Sequence, residues 1–183
     1  FQTFIASNIV SRLASKADYQ MRQTDANESQ LDMLSRLELS FDDFNELSRY
    51  CRSQGIDFLS TAFDFDSIDF LHRLGVGKWK IPSGDVTNVP FLIKIARFGE
   101  PVILSTGMCT MEEIRAAVAT LQQYGAGEMT ILHCTTEYPA PYAEVNLKAM
   151  QAIREEFRLP VGYSDHTPGI EIPIAAAAMG ATV

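Results

Sequence analysis

Long apolar runs are absent from this chain. No stretch of its 183 residues approaches the roughly 20 needed to span a bilayer, so no membrane helix is expected. The opening Phe1-Gln2-Thr3-Phe4 lacks the anatomy of a secretory signal, so export is not expected either. Cysteine is scarce. Cys51, Cys109 and Cys134 are odd in number and show no C-x-x-C spacing, which argues against a disulfide framework or a zinc knuckle and fits a reducing cytoplasm. Positive charge is in short supply: 15 Lys and Arg against 23 Asp and Glu leave a net charge of -8, with no basic cluster to grip a nucleic acid backbone. Neither a glycine-rich P-loop nor a dinucleotide fingerprint is present, which disfavours nucleotides as substrates. The acidic total does not exclude small anions, because a few lysines and backbone amides in a pocket overrule the global sign.

What the chain does have is 46% apolar residues, ample for a core, in a length suited to one domain spanning 1–183. From Ser40 onward, short apolar runs rich in β-branched residues alternate with amphipathic stretches, the pattern of repeated βα units. Strands are predicted over 56–60, 78–81, 102–104, 130–134 and 160–163, and helices over 41–54, 66–74, 89–98, 111–124, 147–157 and 170–179. Thr110 followed by Glu113 has the form of a capping box, and Gly55, Gly75, Gly99 and Gly125 stand where helix C-caps are expected. Residues 1–4 resemble the tail of a strand and residues 180–183 the beginning of another, which brings the predicted strands to seven. The expectation is an α/β chain, a (β/α)8 TIM barrel incomplete at both ends, lacking its first strand and its last βα unit; the competing architecture is a seven-stranded flavodoxin-like sheet. The polar segment 5–39 is too long for an ordinary βα loop and is predicted to be a loop: a lid, a cover for the rim, or a contact with a second subunit.

Parallel α/β folds carry their chemistry at the carboxyl ends of strands, and there this sequence turns polar repeatedly. Lys80-Ile81-Pro82-Ser83-Gly84-Asp85 offers a lysine able to bind phosphate or carboxylate, or to form a Schiff base if desolvated, followed by a hydroxyl and a glycine that lets backbone amides approach a ligand. Ser105-Thr106-Gly107 repeats the hydroxyl one unit later, Ser60-Thr61 one unit earlier, and Ser164 closes the series. A single strand-end serine is most often a turn residue or a cap. Four around one rim, with a lysine, describe a phosphate and carboxylate cradle. His166, in Gly162-Tyr163-Ser164-Asp165-His166-Thr167, stands where an imidazole shuttles protons or ligates a metal. His133, on a strand, is either inward-facing or a satisfied core histidine, the second being favoured, and His72 is read as a surface residue. Tyr138, in the stiff Glu137-Tyr138-Pro139-Ala140-Pro141 loop, offers a phenol to a polyol or packs the loop onto the rim; Asp85 accepts from substrate hydroxyls or caps the next helix.

Taken in order, Phe1-Gln2-Thr3-Phe4, Phe58-Leu59-Ser60-Thr61, Lys80-Ile81-Pro82-Ser83-Gly84, Leu104-Ser105-Thr106-Gly107-Met108, His133-Cys134-Thr135-Thr136-Glu137-Tyr138-Pro139-Ala140-Pro141 and Gly162-Tyr163-Ser164-Asp165-His166-Thr167 resemble the sialic acid synthase family, of the N-acetylneuraminate and legionaminic acid synthase type. The resemblance implies a TIM-barrel transferase that condenses phosphoenolpyruvate with an N-acylmannosamine-type sugar, giving a nine-carbon 2-keto sugar acid and phosphate. It implies a divalent metal, manganese first with magnesium or cobalt as alternatives. It further implies a homodimer whose C-terminal antifreeze-like domain is absent from this chain. In that scheme Lys80, Ser83, Ser105, Ser164 and Thr61 hold phosphoenolpyruvate, Gln2, Asp85 and Tyr138 face the sugar, Thr136 lies near both, and His166 is one of two metal ligands. The family commonly has glutamate where Asp85 stands. The same residues leave open a Schiff-base aldolase using Lys80, or a non-catalytic barrel that binds sugar acids.

Overall fold

The computed structural model describes residues 1–25 and 27–183; Ala26, inside the 5–39 segment, lies outside the described residues. The chain forms two compact units, Phe1–Gly77 and Lys78–Val183.

In the first unit, strand β1 (Gln2–Thr3) pairs in parallel with β2 (Thr61–Ala62), Gln2 opposite Thr61 and Thr3 opposite Ala62. The predicted strand over 56–60 is therefore displaced. Its backbone partners are set by β1: Thr61 N donates to Phe1 O at 3.0 Å and Phe63 N to Thr3 O at 3.1 Å. Ile56, with no strand to shelter it, is 59% exposed. Helices α4 (Phe41–Ser53) and α5 (Phe65–Leu74) flank β2 in sequence. Helix α4 starts at a capping box between Ser40 and Asp43, and α5 starts at Asp64, whose carboxylate also takes Ile5 N at 2.8 Å. Their apolar faces supply the buried Phe44, Ile68 and Leu71.

The 5–39 segment, expected as a long polar loop, is partly helical. It carries three short helices, α1 (Ala6–Ile9), α2 (Asp18–Gln23) and α3 (Gln30–Ser35). Within it lies a buried cation. Lys16, 8% exposed, donates to Thr24 Oγ1 at 2.9 Å, to Asp25 O at 2.6 Å and to Glu28 Oε1 at 3.0 Å, and Glu28 also pairs with Arg36. One ammonium, its three donors satisfied, thus ties together a stretch with few apolar side chains.

The second unit is a four-stranded parallel sheet in the order β3 (Trp79–Ile81), β4 (Val102–Ser105), β5 (Met129–Cys134), β6 (Val161–Ser164). Helices α6 (Val89–Ala96), α7 (Met111–Gln123) and α8 (Lys148–Phe157) make the crossovers that parallel strands require, and α9 (Glu171–Ala178) follows β6. The register sets Ile81 beside Leu104, Leu104 beside Ile131, and Ile131 beside Val161, and these residues with Trp79 are at most 1% exposed. The Thr110–Glu113 capping box forms as expected, with Thr110 Oγ1 accepting from Glu113 N. Gly75 closes α5 at φ +77°, which a side-chain-bearing residue rarely adopts. Six strands are assigned among the described residues, not seven: residues 180–183 are not one. Thr182 N nevertheless donates to Val161 O, and Tyr163 N to Val183 O, each at 2.9 Å, so the segment runs along the edge of β6.

Candidate functional site

The carboxyl ends of β3 to β6 gather most of the residues singled out in the sequence. Strand β3 ends at Ile81, and after Pro82 a single 3-10 turn (Ser83–Asp85) folds the Ser83 hydroxyl back toward β4 and β5. There Ser83 Oγ accepts from Gly107 N at 2.9 Å and lies 3.3 Å from Cys134 Sγ. Gly107 has no room for a side chain: a Cβ would stand 2.2 Å from Thr136 Oγ1, 2.9 Å from Cys134 Sγ and 3.1 Å from Ser83 Oγ. Those three numbers fix how tightly β3, β4 and β5 converge.

Among the described residues three buried hydroxyls have no hydrogen-bond partner: Ser105 Oγ and Thr136 Oγ1 at the ends of β4 and β5, and Tyr163 Oη within β6. Ser105 is 3% exposed. A buried hydroxyl without a hydrogen bond costs about 1–3 kcal/mol, so such groups are rare away from places where a ligand completes them. Lys80 is partly buried, and no hydrogen bond or ion pair holds its ammonium among the described residues. Burial lowers its pKa below the usual lysine value, and the Cys134 thiol nearby works in the opposite direction. An under-solvated cation and two orphan donors together prefer an anion.

His166 is held from three sides. Its Nδ1 lies 2.7 Å from Thr135 O; a carbonyl only accepts, so Nδ1 carries the hydrogen and the lone pair of the neutral ring is on Nε2. Nε2 is 3.4 Å from Ser164 Oγ, and the Tyr138 ring leans over the imidazole with centroids 4.3 Å apart. Ala140 N donates to His166 O at 2.8 Å, joining the loop after β5 to the loop after β6. Asp165 is spent locally, accepting from Thr167 N and Oγ1. No group of three His, Cys, Asp or Glu side chains among the described residues could hold a metal ion.

Asp85 is turned to a local partner: Asn88, the cap of α6, donates to its Oδ1 at 3.0 Å. Burial raises the Asp85 pKa, and the Asn88 bond moderates the rise. Gln2 and Thr61 belong to the first unit, where they are direct register partners; Gln2 is exposed and Thr61 9% exposed. The adjacent Ser60 hydroxyl is consumed by Thr3 Oγ1 at 2.7 Å. His133 is satisfied, its Nε2 2.7 Å from Val145 O, and His72 is exposed, as the sequence indicated.

Three participants escaped the sequence reading. Cys134 ends β5 in register with Ser164 and touches Ser83; its only signal was its place at a strand end. Gly107 contributes an amide donor and empty space. The carbonyl of Thr135 orients His166, and a backbone atom has no signature in a sequence.

Known proteins resemble this chain along its whole length. The family model described as the NeuB family matches residues 1–183. The N,N'-diacetyllegionaminic acid synthase of Campylobacter jejuni is 51% identical over 100% of this chain and 55% of its own length, and that of Legionella pneumophila 50% identical over 100% and 52%. The chain thus spans about half the length of the curated relatives it matches. Among solved structures, an N-acetylneuraminic acid synthetase of Leptospira borgpetersenii, crystallised with citrate, superposes with a TM-score of 0.84 at 30% identity, covering 99% of this chain and 58% of that one. The fold class is α/β of the TIM-barrel type, as the sequence led one to expect.

Proposed function

The chain belongs to the NeuB family, and from that premise we propose that it carries strand-end chemistry of a synthase that joins phosphoenolpyruvate to an N-acylmannosamine-type sugar, forming a nine-carbon 2-keto sugar acid and phosphate. One observation supports the reading above the others: a desolvated lysine without a counter-ion, Lys80, in a unit whose neighbouring strand ends carry two buried unpaired hydroxyls, Ser105 and Thr136. That combination suits a small multivalent anion, and the relatives bear the names of sugar-acid synthases.

In the proposed reaction, Lys80, Ser83, Ser105 and Ser164 hold the phosphate and carboxylate, with Thr61 of the first unit in the same role. The methylene carbon of phosphoenolpyruvate attacks the open-chain aldehyde carbon, forming the C–C bond as the enol double bond supplies the electron pair. The aldehyde oxygen takes a proton. Water adds to the carbon that carries the enol oxygen and gives up one proton; that carbon's bond to the phosphate oxygen then breaks as the new hydroxyl's proton passes to the departing phosphate, leaving the ketone and inorganic phosphate. The Lys80 charge and the fixed hydroxyls stabilise negative charge without reorganising, commonly a large catalytic term. Gln2, Asp85, Tyr138 and Thr136 are proposed to orient the sugar. His166, anchored through Nδ1, is proposed to offer Nε2 to a divalent ion, manganese before magnesium or cobalt. Such an ion, when bound, polarises the aldehyde. We assign the reaction to the cytoplasm and to a homodimer on the family resemblance.

Phosphate release from phosphoenolpyruvate by the full-length protein, measured with manganese across a panel of N-acylmannosamines beside His166→Ala and Lys80→Ala, tests this. Sugar-dependent release that is lost in both variants supports the synthase and identifies the sugar. A folded protein that releases no phosphate with any sugar sinks it. The lowered pKa of Lys80 also favours an imine-forming aldolase. Borohydride trapping with pyruvate separates the two, because only an imine is fixed to Lys80.

A further inference from the structure

In the first unit, α4 and α5 form a groove of ≈ 450 Å³ into which Arg49, Arg52 and Arg73 converge with Asn45 and Ser48. Its position follows from sequence spacing. Asn45, Ser48, Arg49 and Arg52 recur at intervals of three and four and so share one face of α4, and Arg73 comes from the last turn of α5. Helix C-termini favour cations, which accounts for one such arginine on each helix. It does not account for their convergence on a concave surface in a chain of net charge -8.

The charges of α4 are segregated: Asp43 and Glu46 line a separate groove with Leu39, Leu47 and Tyr50. No carboxylate pairs with Arg49, Arg52 or Arg73 among the described residues. Arg49 is oriented by its own helix, its Nε donating to Asn45 O at 3.2 Å, which leaves the terminal nitrogens for another acceptor. Ser48 is a second and independent sign. It is 6% exposed, lines the groove, and has no hydrogen bond to another described residue. An apolar wall completes the surface, since Phe41 stacks on Phe70 with ring centroids 4.3 Å apart and planes 3° from parallel.

The geometry points to a binding site for a small phosphorylated metabolite in this groove, with the phosphate on Arg52 and Arg73, the Ser48 hydroxyl donating to it, and the organic part against Phe41. Guanidinium groups bind phosphate oxygens through paired, charge-assisted hydrogen bonds, so side chains here do what backbone amides do in a phosphate loop. The volume is that of a small-molecule site. The site uses none of the residues of the proposed reaction.

The test is calorimetric titration of the full-length protein with AMP, and with adenosine as the phosphate-free control. The variants are the double substitution Arg52→Ala with Arg73→Ala, Ser48→Ala, and Lys80→Ala. Saturable AMP binding is expected, weakening about tenfold or more in the double-arginine variant. It is expected to weaken in Ser48→Ala, to persist in Lys80→Ala, and to be absent for adenosine. Circular dichroism melts confirm that each variant is folded. An absence of saturable AMP binding, affinity unchanged by the arginine substitutions, or binding lost in Lys80→Ala would each overturn the site. Because Lys80→Ala removes the proposed reaction and spares this groove, the two ideas fail separately.

Discussion

Replacing Ser105 by alanine should stabilise the ligand-free protein, the reverse of the usual result of trimming a buried side chain. Ser105 is 3% exposed, and its Oγ is buried without a hydrogen-bond partner. Removing an unsatisfied buried hydroxyl recovers a desolvation cost of about 1–3 kcal/mol. Against this stands the loss of dispersion contacts around one oxygen, at about 0.1–0.2 kcal/mol each. The balance favours Ser105→Ala by about 1 kcal/mol. Ligand reverses the sign: if Ser105 donates to the phosphate or carboxylate of phosphoenolpyruvate, the variant forfeits a hydrogen bond to a charged group. That bond is worth about 1.5–3 kcal/mol, or roughly 10-fold to 100-fold in affinity. Thermal unfolding of the full-length protein and of Ser105→Ala, with and without saturating phosphoenolpyruvate, reads both effects. A ligand at about 100 times its dissociation constant adds about 2.7 kcal/mol to the parent, and much less to the variant. If Ser105→Ala melts well below the parent without ligand, or gains as much from phosphoenolpyruvate as the parent does, the hydroxyl is not waiting for an anion and the reasoning fails.

Three further outcomes follow from the same geometry. Gly107→Ala should cost about 1–3 kcal/mol by overpacking, because the new methyl meets Thr136 Oγ1 at 2.2 Å and Cys134 Sγ at 2.9 Å, and urea unfolding of the variant measures it. Lys80→Met should be at least as stable as the parent at neutral pH: a folded pKa depressed by burial makes the protonated lysine a burden on the folded state, and that burden is relieved as pH rises from the folded pKa toward the unfolded value of 10.5. The stability difference between Lys80→Met and parent should therefore shrink as pH climbs through that window, and a difference that grows would refute the assignment. Cys109, whose thiol is pushed up to about 11 by burial first and then by the charges of Glu113 and Cys134, should alkylate with iodoacetamide much more slowly at pH 8 than an ordinary free thiol; mass spectrometry of the labelled peptide would show otherwise if the thiol were activated.

Features that depend on neighbours along the chain were legible in the order of residues alone. The βα rhythm, the Thr110–Glu113 box, the Gly75 cap and the polar strand ends at Lys80, Ser105, Ser164 and His166 follow from apolar periodicity, capping chemistry and residue type, all acting within a few residues. Tertiary structure decided what depends on partners far away in sequence. Strand β2 lies at Thr61–Ala62, beyond the apolar 56–60 run, because the backbone of β1 selects its register. Within the 5–39 segment a lysine, Lys16, is buried among Thr24, Asp25 and Glu28, contacts that polar composition alone does not reveal. Whether a strand-end hydroxyl is spent or waiting was likewise illegible: Ser60 is taken by Thr3, Ser83 by the Gly107 amide, and Ser105 by nothing. A hydroxyl looks the same in sequence whichever of these holds, since hydrogen bonds are closed in space, by whichever donor or acceptor the fold brings within 3 Å or so.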